Sequence, residues 1–183
     1  MSLTTTAFIT GTLDPQALFT AGVHALLASS RLRDDPAPED VIVEHATKGQ
    51  IPSWIDASDV TDANRDYFTS KESMVYSREG QGLPAIVRVR FDPDGPIAAE
   101  DPEIQSPQHD MRLSWNTANG YRVTDFGQFD ANALHAKALI ELRRLLPDTV
   151  TIAWRDETTG DVYDVLDQVA LERFARCPLP AVA

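Results

Sequence analysis

Five arginines recur at alternate positions of short β-like runs, and this two-residue period constrains the chain more than any other feature. Arg88 and Arg90 alternate with Val87, Val89 and Phe91. Arg112 lies between Met111 and Leu113, with Trp115 further along. Arg122 sits between Tyr121 and Val123, and Arg155 follows Ile152 and Trp154 at the same spacing. Successive side chains point to opposite faces of a strand, whereas a helix would scatter this pattern around its cylinder. The runs therefore predict a sheet with one apolar face and one arginine face.

An apolar sheet face must be covered, and two segments carry the helical pattern to cover it. The first starts at Asp14, an N-cap residue followed by Pro15 at the first helical position. Leu18, Phe19, Gly22, Val23, Ala25 and Leu26 fall on one arc of that helix. The second runs from Asp130 to about Leu146, where Pro147 ends it, with Leu134, Ala138, Leu139, Leu142, Leu145 and Leu146 on its apolar arc. Val165, Leu166, Val169, Ala170 and Phe174 predict a short closing helix.

Strands are expected at Ala7–Thr12, Val41–Glu44, Glu72–Ser77, Pro84–Phe91, Asp110–Trp115, Tyr121–Asp125, Val150–Asp156 and Asp161–Tyr163. Asn116 to Gly120 supplies residues that tolerate positive φ, so 110–115 and 121–125 are read as a hairpin. The fold class is α+β: a mostly antiparallel sheet with two main helices packed on one face, a two-layer sandwich. Residues 1–183 form a single domain, with irregular loops at about 47–73 and 92–109 and a tail, 178–183, expected to fray.

The arginine face stands out because the protein is acidic, with a formal net charge of -12. That balance argues against nucleic acid as a partner. Its acids are dispersed, as in Asp34, Asp35, Glu39 and Asp40, then Asp56, Asp59, Asp62 and Asp66. Solubility accounts for them; a DNA-mimicking decoy is the sharper alternative. Cys177 is the only cysteine, so no intrachain disulfide can form. Met1 to Thr6 holds no basic residue and no long apolar run, and no stretch reaches the ~18 apolar residues of a membrane span. A cytoplasmic location without a membrane partner is expected.

Guanidinium groups on neighbouring strands can hold a phosphate or carboxylate through paired planar hydrogen bonds. Arg88, Arg90, Arg112, Arg122 and Arg155 are accordingly the anion- or partner-binding candidates, with Ser114, Thr124 and Thr151 as neutral donors on the same face. The plain alternative is that each arginine lays its stem on an exposed strand and pairs with a nearby acid. Trp54 is the one large aromatic in a long polar stretch and, with Tyr67 and Phe68, a candidate anchor for a partner. His45 and His135 are the weak catalytic candidates. His45 belongs to a single His-x-Thr pattern, and His135 falls on the apolar arc of its helix.

No Cys pair, His-x-x-x-His or Asp-x-Asp-x-Asp-Gly pattern points to a metal. No phosphate-binding glycine loop, dinucleotide fingerprint or nucleophile elbow appears. Neither a cofactor nor a metal site is expected.

The stretches Trp115-Asn116-Thr117-Ala118-Asn119-Gly120-Tyr121-Arg122 and Trp154-Arg155-Asp156-Glu157-Thr158-Thr159-Gly160 resemble small proteins of actinobacterial phages. The resemblance covers about a quarter of the chain and brings no active site. It implies a phage accessory or virion protein, located in the host cytoplasm or the virion.

The functional expectation is a non-enzymatic interaction or accessory protein that binds a protein partner or self-associates, with a homodimer through a shared edge strand as one form. The first alternative is a small enzyme or binding protein for a phosphorylated or carboxylated ligand held by the arginine face. The enzyme version requires at least two arginines and a histidine to converge. The acidic decoy is the second alternative.

Overall fold

The computed structural model describes residues 3–30, 42–53, 55–70, 72–78, 83, 85–91, 107–117 and 130–182. Its seven strands are β1 (Leu3–Thr10), β2 (Ile42–Ala46), β3 (Ser73–Arg78), β4 (Ile86–Phe91), β5 (Met111–Thr117), β6 (Thr151–Asp156) and β7 (Val162–Asp164). They form one sheet in the order β2-β3-β4-β5-β1-β6-β7, and every pairing is antiparallel. The helices are α1 (Pro15–Ser30), α2 (Arg65–Thr69), α3 (Ala131–Leu145) and α4 (Gln168–Ala175). The α+β class and the antiparallel sheet follow the alternation in the sequence. Among the described residues, no helix is long and apolar enough to cross a membrane.

α1 packs on β3, β4 and β5, and α3 packs on β1, beside α1 and α4. Both long helices thus lie on one face of the sheet, over Ala7, Ile9, Val87, Val89, Leu113 and Trp115, all buried. The Asp130 carboxylate accepts from the Asn132 and Ala133 amides at 2.8 and 3.4 Å, closing the open first turn of α3. Asp14 does the same for the Gln16 amide at 2.8 Å. α1 lies tight against the sheet at Gly22. Its carbonyl accepts the Trp115 Nε1 hydrogen at 3.1 Å, and a Cβ placed there would lie 2.6 Å from Leu113 Cδ1.

Several boundaries differ from the sequence reading, each for a physical reason. β1 begins at Leu3 rather than Ala7, because the β-branched run Thr4–Thr6 joins the strand and Thr5 finds a buried partner on α3. It ends before Gly11, whose φ of +130° turns the chain. β5 does not form a hairpin with 121–125: β4 takes one of its edges and β1 the other, along its length. The strand partners of β5 come from elsewhere in the chain, and residues 118–125, which hold the Asn-Gly signal and the expected second strand, lie outside the described ones. Leu145, Leu166 and Val169, placed on apolar arcs, are exposed at 48%, 60% and 74%. Leu145 and Val169 lie in the end turns of α3 and α4, and Leu166 in the turn that precedes α4. The tail expected to fray is tied down instead. The Leu179 amide donates to Glu172 Oε1 at 3.2 Å, Gln168 Oε1 accepts from the Val182 amide at 3.2 Å, and both Leu179 and Val182 pack on the core.

Within the 47–73 connection, read from the sequence as an irregular loop, Ala57–Asp59 forms a 3-10 turn and Arg65–Thr69 the short helix α2.

Candidate functional site

The face of the sheet opposite the long helices carries the arginines. Two cross-strand rows build it. One row reads Val75, Arg90, Arg112, Phe8 and Ala153 across β3, β4, β5, β1 and β6. The next reads Ser77, Arg88, Ser114, Thr6 and Arg155 across the same strands. Neighbouring strands lie about 4.8 Å apart, so Arg88 and Arg155 are about 14 Å apart at their backbones. Arg90 and Arg112 sit directly opposite each other, a like-charged pairing that a sheet ordinarily avoids.

These side chains line a half-open depression of about 540 Å³. Arg88, Arg90, Arg112 and Arg155 contribute guanidinium groups, Thr4, Thr6 and Ser114 hydroxyls, and Glu157 a carboxylate. Among these lining groups the formal charge is four positive against one negative, in a chain whose net charge is -12. Ile55 and Val75 form an apolar wall on the β3 side. Ser53 Oγ donates to Glu44 Oε1 at 2.9 Å, which fastens the connection carrying Ile55 to β2.

Glu157 already uses part of this face. Its Oε1 accepts from Thr6 Oγ1 at 2.9 Å, from Arg155 Nε at 3.0 Å and from an Arg155 terminal nitrogen at 2.9 Å. The Arg155 guanidinium also lies 5.5 Å from the centre of the Phe8 ring, and its side chain is only 12% exposed. Arg155 is therefore a fixed, packed arginine. Arg88 is exposed, and Arg90 and Arg112 are half-buried.

His109 underlies one end of the face. It is buried, with its ring 5.0 Å from that of Phe8. Nδ1 donates to the Pro107 carbonyl at 2.6 Å, which leaves Nε2 with its lone pair and no partner among the described residues. Burial holds the His109 pKa below the ordinary histidine value; the Pro107 bond opposes this, while Arg112 and Arg90 add to it.

Of the residues singled out by sequence, Arg88, Arg90, Arg112 and Arg155 meet here. Arg122 and Trp54 lie outside the described residues, as does Thr124. Neither candidate histidine joins the arginines. His45 is on β2, in register with Met74 and hence on the helix side of the sheet, where its Nε2 meets Glu72 Oε1 at 2.6 Å. It lines a separate surface depression with Gln50 and Arg65. His135 is fully buried between α3 and the sheet, 2.9 Å from Thr5 Oγ1 through Nδ1 and 2.9 Å from Thr117 Oγ1 through Nε2. Burial pushes its pKa down to about 3, so it is neutral and structural in this setting.

Thr4, Thr6 and Glu157 escaped the sequence reading. The threonines were lost with the first four residues of β1. Glu157 was legible, since it continues the alternate positions occupied by Arg155 and Ala153.

Comparisons with protein-family models, with curated proteins and with solved structures found no match to this chain.

Proposed function

We propose that this is a binding protein that holds an anionic ligand, or an anionic group of a larger partner, on the arginine face of its sheet. The observation that carries this reading is the arrival of Arg88, Arg90, Arg112 and Arg155 from three strands in one depression of an acidic chain. Guanidinium groups are the side chains best suited to oxyanions, because their donors form a planar fork. Hydroxyls from Thr4 and Ser114 add neutral donors between them, while the Thr6 hydroxyl already donates to Glu157. The histidine that the enzyme reading asks for does not line the depression among the described residues, which favours binding over proton transfer. The half-open shape suits an anionic group presented by a macromolecule as well as a free one, so a partner protein remains within this reading.

The test is equilibrium binding of pyrophosphate and of citrate by calorimetry, at low and at moderate salt. Binding that weakens with salt and disappears in an Arg88→Gln/Arg112→Gln double variant supports the reading. No binding by either anion, or binding that survives the double substitution, overturns it.

A further inference from the structure

One oxyanion seat on the arginine face has a visible occupant. Thr6 on β1 and Arg155 on β6 stand directly opposite each other, and both donate to Glu157 Oε1. The threonine hydroxyl does so at 2.9 Å, Arg155 Nε at 3.0 Å and an Arg155 terminal nitrogen at 2.9 Å. A charged guanidinium edge beside a hydroxyl is a strong donor set for a carboxylate oxygen.

The donors and their acceptor are anchored very differently. Thr6 and Arg155 belong to paired strands, Thr6 is buried, and the Arg155 guanidinium rests on the Phe8 ring. Glu157 belongs to the turn between β6 and β7, and its side chain is 30% exposed against 12% for Arg155. That turn holds without the Glu157 carboxylate. The Asp156 carbonyl accepts from the Thr159 and Gly160 amides at 3.2 and 2.7 Å, and its amide donates to the Asp161 carbonyl at 3.0 Å. The Asp156 carboxylate accepts from the Thr158 amide at 2.9 Å, and Gly160 takes a φ of +78° that suits glycine. Rotation of the Glu157 side chain therefore empties the seat while the turn and the donors stay in place.

We infer that Thr6 and Arg155 form a carboxylate-binding seat, and that Glu157 is its built-in occupant, displaced by a carboxylate of the ligand or partner. This rests on the anion-binding reading above and names the group bound and how its binding is restrained. One guanidinium and one hydroxyl around a single oxygen balance one negative charge, which is that of the carboxylate already there. An ion pair with one exposed partner contributes little to stability, so exchange of Glu157 for an equivalent carboxylate is nearly balanced. The restraint appears in affinity. A ligand binds only the fraction of molecules whose seat is open, and its apparent dissociation constant rises by the inverse of that fraction. A tethered carboxylate also competes at a high effective concentration, so the ligand must make further contacts on the face to displace it.

The experiment measures citrate binding to the full chain by calorimetry, for the wild type and for Glu157→Ala. Vacating the seat should tighten citrate binding about tenfold or more, the gain that follows if the seat is open in about a tenth of molecules or fewer. Thr6→Val added to Glu157→Ala changes no charge and keeps the β-branched shape, and it should take back most of the gain. In the wild type, the carboxyl carbon resonance of Glu157 should shift at saturating citrate as the group leaves its donors. Circular dichroism of each variant controls for folding. Unchanged or weaker citrate binding by Glu157→Ala makes Glu157 a support for Arg155 and overturns the inference, while the anion reading stands on its own Arg88→Gln/Arg112→Gln test. A gain that survives Thr6→Val is only the loss of a repelling charge, and it overturns the inference, as does a Glu157 resonance unmoved at saturation. Failure of citrate and pyrophosphate to bind either the wild type or Glu157→Ala brings down both.

Discussion

Burying His135 makes the stability of this protein depend on pH in a way that one substitution isolates. The ring is fully buried and bridges Thr5 and Thr117, with 2.9 Å contacts at both nitrogens. In the neutral form one nitrogen donates and the other accepts, so both threonine hydroxyls are satisfied. The cationic form could donate twice, so hydrogen bonding does not forbid it; the loss of water around a buried charge does. The native pKa is pushed down to about 3, against an ordinary value of 6.5.

The folded pKa lies below the unfolded one, so between them the unfolded chain holds more protons. Stability therefore falls as pH drops through about 6.5, and the loss is complete only near the native pKa. From pH 7.5 to pH 5.0 this single group removes about 2 kcal/mol, and the full shift corresponds to about 5 kcal/mol. Urea unfolding at both pH values measures it. His135→Gln retains a donor and an acceptor for the two threonines but does not titrate. The wild type should lose about 2 kcal/mol more than this variant over the same interval. His24, His45 and His109 are present in both proteins and cancel in the difference. Parallel losses in the two proteins would refute the reasoning.

Three further outcomes follow from the packing. Gly22→Ala in an exposed helix would stabilise by about 1 kcal/mol, but here the new methyl meets the Leu113 methyl groups at 2.6 and 3.0 Å, so a net loss of about 1 kcal/mol or more is expected from thermal unfolding. Arg143 donates to the carbonyls of Leu146, Pro147 and Val150 at 2.8, 2.6 and 2.5 Å, and Arg143→Met should cost about 3 kcal/mol in denaturant titration by taking this donor from all three, of which Pro147 keeps the Val150 amide at 3.0 Å. Trp115→Phe gives up the bond to the Gly22 carbonyl, whereas the Trp154 indole nitrogen is buried with no partner among the described residues, so Trp115→Phe should be the costlier by about 1–2 kcal/mol.

The alternation of Arg88, Arg90, Arg112 and Arg155 with apolar residues was enough to place them on one sheet face, because period two is a local property of a strand. Their convergence was not legible, since it depends on β4, β5, β1 and β6 lying side by side. Insertion of β1 between β5 and β6 is a long-range event, and the local Asn-Gly signal near residue 120 pointed instead to a hairpin that the two occupied edges of β5 exclude. His135 was legible as a helix-arc residue, but its threonine partners became visible only once Thr5 and Thr117 were brought under α3. Thr6 stayed hidden with the start of β1, and without it the pairing that seats Glu157 could not be drawn.

The central claim is that the arginine face is where an anion binds. Backbone amide shifts recorded during a pyrophosphate titration test it most directly. The account predicts saturating changes confined to residues 4–6, 88–90, 112–114 and 155–157, with the helix side of the sheet unmoved. Changes centred on the His45 depression or on the helices, or none at saturating ligand, would contradict it.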